Sequence, residues 1–420
     1  MVDMPVHTKT TEIIDRHNQF MSINYARYPL AMVQGKGVTL EDAEGKQYLD
    51  LFAGFGGPLL GHCHEELVAA VTRQANKLWH VGNLFHTEPQ TQVAEAIGRL
   101  GFGGRCFFCH SGADANEAAL KLARLYGHVH PGPNGPRYRV VSTIDSFHGR
   151  SFGTMPTTGQ PQVGQHFVPL PPGHVHVAFD DIVEIDRAMD EDTVAVIVEP
   201  IQGEAGVRVP SDNYLPALRQ LCDERDCLLI FDEVWTGCGR TGRFFAHQHW
   251  LTNGQVPDIA TLAKGIGGGL AVGVCCATPE VATLFDWHHY GHAVHATTLG
   301  GNCLSMAVAG QLLEVIERDH LINHAEALGT HAIDRLRRFA RSVPAVRQVR
   351  GRGLFIGIEL DAKAQGAWFG GVVDVVNRCM EQGLLINGTQ GTTIRLAPAL
   401  IISQDQLDQG LDLLEAIIQG

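Results

Sequence analysis

CLLIFDEVWTG, residues 227–237, sets the architecture of the chain. Leu228 to Phe231 is an unbroken apolar run that ends on a carboxylate, Asp232. A run of that length and composition reads as a strand buried on both faces. The same pattern recurs in RCFFC (105–109), RVVST (139–143), VAVIVEP (194–200) and AVGVCCA (271–277), with helical patterns between. This alternation predicts an α/β fold with a mainly parallel central sheet in a large domain. Ligands bind such sheets beyond the carboxyl ends of the strands, so the residues after each run are the ones to inspect.

Outside this middle region the chain reads differently. Residues 33–51 (VQGKGVTLEDAEGKQYLDLF begins at 33) predict a hairpin turning at Glu44-Gly45. After residue 310 come a long helical pattern, GLFIGIEL, and a final amphipathic helix. We expect both ends to meet in a smaller α+β domain, with 1–58 and 306–420 in it and 59–305 forming the large domain. PGPNGPRYR (131–139) is a Pro/Gly surface loop.

Bulk properties narrow the function classes. With 45% hydrophobic and 18% charged residues, the 420-residue chain has the composition of a globular enzyme. A formal charge of −13 argues against nucleic-acid or anionic-membrane partners, which need a basic face. The start, MVDMPVHTKTTEII, carries no apolar leader, and no stretch reaches the roughly 18 apolar residues of a membrane span. Ten scattered cysteines read as reduced thiols, so a cytoplasmic location is expected.

Lysine is sparse, and Lys264 stands apart. It sits in DIATLAKGIGGGLAVG (258–273), after an apolar stretch and before a glycine-rich loop. Desolvation there lowers its pKa and suits it to Schiff-base chemistry. The bland alternative is a lysine reaching outward from a strand end. Asp232, at the end of its buried run, needs a cationic partner. A pyridinium nitrogen would serve, and so would a structural cap. Ser111, Gly112 and Ala113 open the helical pattern after RCFFC, where free N–H groups and the helix dipole favour a phosphate. An ordinary N-cap has the same look. Phe147-His148-Gly149-Arg150 follows RVVST and offers a ring to stack and a guanidinium to clamp a carboxylate. Arg395, in TTIRLAPAL, lies in an apolar context that demands an anion.

Two other patterns read as packing. His62-Cys63-His64 has metal-like spacing in a turn, but a zinc site needs three or four ligands, and we expect no metal. Cys106 and Cys109 lie inside an apolar run, which favours core burial over redox chemistry.

Several segments carry a resemblance: NYARYPLAMVQ from residue 24, HSGADANEAALKLAR (110–124), FHGR (147–150), VEPIQGEAGV (198–207), FDEVWTGCGRTG (231–242), LAKGIGGGL (262–270), HATTLGGN (295–302) and GLLINGTQGTTIRLAPAL (383–400). The chain resembles the class III aminotransferases of the fold type I, pyridoxal 5'-phosphate (PLP) enzymes, and within them the acetylornithine branch. The resemblance implies that Lys264 forms a Schiff base with PLP and shuttles the proton. It implies that Asp232 pairs with the pyridine nitrogen, that Val234 and Phe147 pack on the two ring faces with His148 adjoining, and that Ser111, Gly112 and Ala113 hold the phosphate. Thr298 would reach the phosphate of the other subunit in a homodimer with shared active sites. Arg150, helped by Tyr25, would hold the remote carboxylate, and Arg395 the α-carboxylate of glutamate or 2-oxoglutarate. Glu204 would cover Arg395 when an ω-amine is bound, and Glu199 would support the position beside the cofactor hydroxyl. The activity implied is transfer of the ω-amino group of N2-acetylornithine to 2-oxoglutarate, in arginine biosynthesis. The alternatives are another ω-amino-acid transaminase, or a PLP-binding protein without turnover. The family usually has Gln where this chain has Trp235, and ornithine aminotransferases have Tyr where it has Phe55.

Overall fold

The computed structural model describes residues 8–420, so the first half of the stretch read for a leader lies outside the described residues. A central sheet of seven strands is built from β1 (Arg105–Cys109), β2 (Arg139–Thr143), β3 (His174–Val177), β4 (Thr193–Val198), β5 (Leu228–Asp232), β6 (Ile259–Leu262) and β7 (Gly273–Ala277). Their order across the sheet is β1-β7-β6-β5-β4-β2-β3. Pairing is parallel from β6 through β5, β4 and β2 to β3. β7 runs antiparallel to both its neighbours, β1 and β6. Every residue of β4, β5, β6 and β7 is buried, which explains their continuous apolar runs. The sequence reading missed β3 and β6. HVHV in β3 lacks an apolar run, and the IATL of β6 merges into the stretch before Lys264.

Because β7 alone is reversed, β1, β2, β4, β5 and β6 all end at one edge of the sheet, and β7 begins there. That edge therefore collects Cys109-His110, the loop after Thr143, Glu199, Asp232 and Lys264, together with the glycine loop that enters β7.

The expected hairpin is part of a three-strand meander, Met32–Lys36, Thr39–Asp42 and Gln47–Asp50. Its fourth strand comes from the far end of the chain: Leu384–Leu385 pairs parallel with Leu49 and Asp50. A separate antiparallel sheet joins Val346–Arg352, Phe355–Leu360, Thr393–Leu396 and Asn387–Thr389. The Leu396-Ala397 turn is tied back to the amino-terminal segment by the Ala397 N–H, which donates to the Leu51 carbonyl at 2.8 Å. Both chain ends thus build the smaller α+β part, whose core around Leu51, Ile356, Ile394 and Leu411 is continuous with central-sheet residues such as Leu262 and Val274.

Among the described residues no helix is long and apolar enough to cross a membrane. His62 is bonded to Asp50 at 2.8 Å, and Cys63 is exposed. Cys106 faces Cys276 across the β1–β7 pair rather than Cys109, and all ten cysteines are free.

Candidate active site

A cavity of about 510 Å³ opens at that sheet edge. Its floor begins with the helix Gly112–Val129. Ser111 caps the helix, its Oγ accepting from the Asp114 N–H at 3.2 Å. The N–H groups of Gly112 and Ala113 have no intrahelical acceptor, as first-turn geometry requires. Gly112 has no room for a side chain: a Cβ there would lie 2.8 Å from Val234 Cγ1. The bare backbone of Gly112 and the Val234 methyls therefore form a flat-floored cradle with free donors at one end.

Asp232 ends β5 and is only 4% exposed. Its Oδ2 accepts from Asn116 Nδ2 at 2.7 Å and from His148 Nδ1 at 2.8 Å, and its Oδ1 accepts from the Val234 N–H at 3.0 Å. Asn116 is itself fixed, donating to the His148 carbonyl and accepting from Thr261 Oγ1, each at 2.8 Å. The end of β5, the helix after β1, the loop after β2 and strand β6 are thereby tied around one carboxylate. Glu199, after β4, accepts from the Phe147 and Gly203 N–H groups, both at 2.9 Å. Burial pushes its carboxyl up to about 7, against the pull of His148 and with the repulsion of Asp232.

Lys264 follows β6 with a φ of 47°, a left-handed conformation that a non-glycine residue adopts at a cost. The turn aims its side chain into the cavity. Burial draws its amine down from the ordinary 10.5 to about 8, against the opposing charges of Glu204, Asp232 and Glu199. About a tenth of this amine is therefore neutral and nucleophilic at pH 7, far more than for an ordinary lysine.

Trp235 lies on the wall opposite. Its ring centre is 3.9 Å from Lys264 Nζ and 4.6 Å from Arg395 Cζ. Arg395, on the strand Thr393–Leu396, stands directly across from Asn387 in its sheet. Asn387 Oδ1 accepts from Arg395 Nη2 at 2.6 Å and from Nε at 3.0 Å, and Glu204 lies 3.2 Å from Nη1. Arg150 is exposed at the cavity's other end, its Cζ 5.5 Å from the Phe147 ring.

The cavity wall thus brings together Ser111, Gly112, Ala113, Phe147, His148, Arg150, Glu199, Glu204, Asp232, Val234, Trp235 and Lys264. Three expected residues are not on it. Arg395 is behind Trp235 and Glu204. Thr298 is exposed on the protein surface. Tyr25 is 65% exposed and lies under Arg27, whose Cζ is 5.1 Å from its ring. Tyr28 occupies the place near the guanidinium instead: burial raises its hydroxyl pKa, while a bond to Asn387 and the Arg395 charge pull it back. NYARYPL holds both tyrosines, and nothing in its pattern separates them. Asn116 and Asn387 were missed because their partners, Asp232 and Arg395, lie on other elements.

The arrangement fits PLP on its own chemistry. It combines a donor-rich cradle that a single Cβ would fill, a buried carboxylate with lone-pair capacity left, and a depressed lysine amine on the same cavity wall.

Comparison with known proteins agrees. The profile of the class-III aminotransferases matches residues 20–418. The acetylornithine aminotransferase of Mycobacterium tuberculosis (strain H37Rv) is 41% identical over 418 residues, covering 98% of this chain and 97% of its own length. That of Methanocaldococcus jannaschii is 39% identical over 406 residues, covering 96% and 97%. Among solved structures, the ornithine aminotransferase of Toxoplasma gondii ME49 superposes with a TM-score of 0.90 at 31% identity, covering 98% of this chain and 96% of that one. Since the matched span contains every segment that builds the cavity, the chain belongs to the class-III, PLP-dependent aminotransferases.

Proposed function

We propose that the protein transfers the ω-amino group of N2-acetylornithine to 2-oxoglutarate, giving N-acetylglutamate semialdehyde and glutamate, as a cytoplasmic step of arginine biosynthesis. The observation that carries the reading is the pair of anion holders. Arg150 is open on the cavity wall, and Arg395, behind that wall, is covered by Glu204 at 3.2 Å. An ω-amine donor presents no carboxylate beside its reacting carbon, so a covered Arg395 suits it. 2-Oxoglutarate carries two carboxylates and needs both arginines. The names of the relatives above support the same donor. Free ornithine as donor is the second reading; Phe55, which lacks a hydroxyl, disfavours it.

PLP, when bound, supplies an aldehyde for a lysine amine and a ring that draws electrons from the bond being broken. The residues around it have separable tasks. The Gly112 and Ala113 N–H groups hold the phosphate. Asp232, oriented by Asn116 and His148, holds a proton on the ring nitrogen. Phe147 and Val234 enclose the ring and exclude water. Lys264 Nζ takes and returns the substrate proton. Glu199 fixes the Phe147 and Gly203 loops to each other.

The expected result for the arginines is asymmetric. Arg395→Ala should cripple the half-reactions with glutamate and 2-oxoglutarate while sparing the one with N2-acetylornithine. Arg150→Ala should harm both. The Arg395 loss should be about 2–5 kcal/mol, the cost of leaving a buried charge unpaired, and the loss at the exposed Arg150 should be smaller. Single-turnover rates for each half-reaction check this. Equal slowing of both by Arg395→Ala would show that the donor itself binds Arg395.

The same reading includes a homodimer. Asn83 Nδ2 donates to the Thr297 and Gly300 carbonyls, at 3.2 and 3.1 Å. This holds Leu84 (92% exposed), Phe85, Thr298 and Leu299 on one exposed surface. Such apolar exposure marks an interface. Thr298, exposed and absent from its own cavity wall, would serve the second one in this reading. Sedimentation should give a dimer at working concentrations, and Thr298→Ala should weaken PLP binding. A fully active monomer would contradict the assignment.

A further inference from the structure

One indole ring lies against both Lys264 and Arg395. The Trp235 ring centre lies within 5 Å of both cations, at 3.9 Å from Nζ and 4.6 Å from Cζ. An α-amino acid must place its amine at Lys264 and its carboxylate, two bonds away, on Arg395. Its carboxylate therefore has to pass along the indole that lies against both cations. The guanidinium is 2% exposed and absent from the cavity wall, whereas Trp235 and Glu204 are on it.

The two parts of this wall differ in how closely they are packed. Glu204 is partly exposed and bonds Arg395 through one edge only. The guanidinium's other contacts are to Asn387 and to the Gly203 carbonyl, which accepts from Nη1 at 3.1 Å. Rotation of Glu204 would free an edge for a carboxylate. The indole has no comparable freedom. A Cβ on Gly203 would lie 2.7 Å from its Cε3, and one on Gly56 would lie 2.8 Å from its Nε1, so the backbone presses on it from two directions. Phe355 packs at 5.2 Å between ring centres and Phe55 at 5.9 Å. Its Nε1 is buried without a partner, so its place is set by packing rather than by a hydrogen bond. Close packing of this kind resists rearrangement.

We propose that Trp235 is a specificity-determining residue, the fixed half of a wall whose movable half is Glu204, and that it handicaps substrates that must bring an α-carboxylate to Arg395. The idea rests on the transaminase reading and adds to it a bias toward ω-amines built into the cavity. Selectivity of this kind works by obstructing the competitor rather than by improving contacts to the preferred substrate.

The test uses the PLP-loaded enzyme, wild type, Trp235→Gln and Trp235→Phe. Single-turnover rates with glutamate and with N2-acetylornithine give a ratio for each protein. That ratio should rise at least about tenfold in Trp235→Gln, one unit of discrimination on a logarithmic scale. It should rise less in Trp235→Phe, which keeps a ring against Phe355 and guards against a folding artefact. In parallel, modification of Arg395 by 2,3-butanedione, mapped by peptide mass spectrometry, should be slow in wild type and several-fold faster in Trp235→Gln. Both quantities must rise; either one staying at its wild-type value overturns the proposal. If wild type reacts with neither donor, the substrate reading fails, and an unchanged or accelerated labelling rate still decides the role of Trp235.

Discussion

Lys264→Ala is expected to abolish transamination, with a loss on the order of 10⁴–10⁶-fold, because one group supplies both the nucleophile and the positioned proton carrier. The expectation comes from the turn after β6. Its left-handed φ of 47° is tolerated because it delivers the amine into the cavity, where burial holds the amine at about 8. The sign of the pH dependence follows. A depressed amine is protonated and inert below about 8 and becomes neutral above it. Acylation of Lys264 in the cofactor-free protein should therefore rise through pH 8 and level off, rather than climb toward the ordinary 10.5. Borohydride treatment of the loaded enzyme should attach the cofactor at Lys264 in wild type and nowhere in the variant. A label on another lysine would sink the assignment.

Asp232→Asn should keep the cofactor bound but slow the chemical step by about 3–4 kcal/mol, or roughly 10²–10³-fold, the scale of one preorganised electrostatic group in a water-poor site. Binding should survive because the phosphate cradle at Gly112 and Ala113 does not involve this residue. The chemistry should not, for two reasons. An amide cannot stabilise a proton on the ring nitrogen. It also places an NH₂ group where Asn116, His148 and the Val234 N–H all donate, so at least one donor loses its acceptor. Equilibrium titration with PLP and single-turnover kinetics separate the two effects. Near-normal turnover would refute the role.

The parts of this site that could be read in the sequence are those in which one local segment states both geometry and chemistry. Asp232 ends an apolar run, Gly112 opens a helix after one, and Lys264 joins a strand to a glycine loop. In each case the strand places the group, and the residue type names its use. The unread parts depend on which distant elements meet. Asn116 is a helix residue like its neighbours until β5 and β6 bring Asp232 and Thr261 against it. Asn387 matters only because strand register sets it opposite Arg395. Tyr25 and Tyr28 differ by one helical turn's worth of sequence in a segment with no helical or strand signal, so the packing alone chooses between them. The reversal of β7 was also hidden, since a strand buried on both faces has the same composition in either direction.

The parallel pairing of Leu384–Leu385 with Leu49 and Asp50 has a consequence for biosynthesis. At the usual pace of about 5–20 residues per second, a ribosome reaches Leu384 some 20–70 seconds after Leu49. Throughout that interval the opening meander lacks its fourth strand, and an unpaired strand edge is an invitation to aggregation. Arg395 and Asn387 emerge later still. The nascent chain therefore has its cofactor cradle and lysine in hand well before its discriminating arginine. Loss of the final few dozen codons would leave the large sheet's sequence intact while removing both the closing strand and the guanidinium.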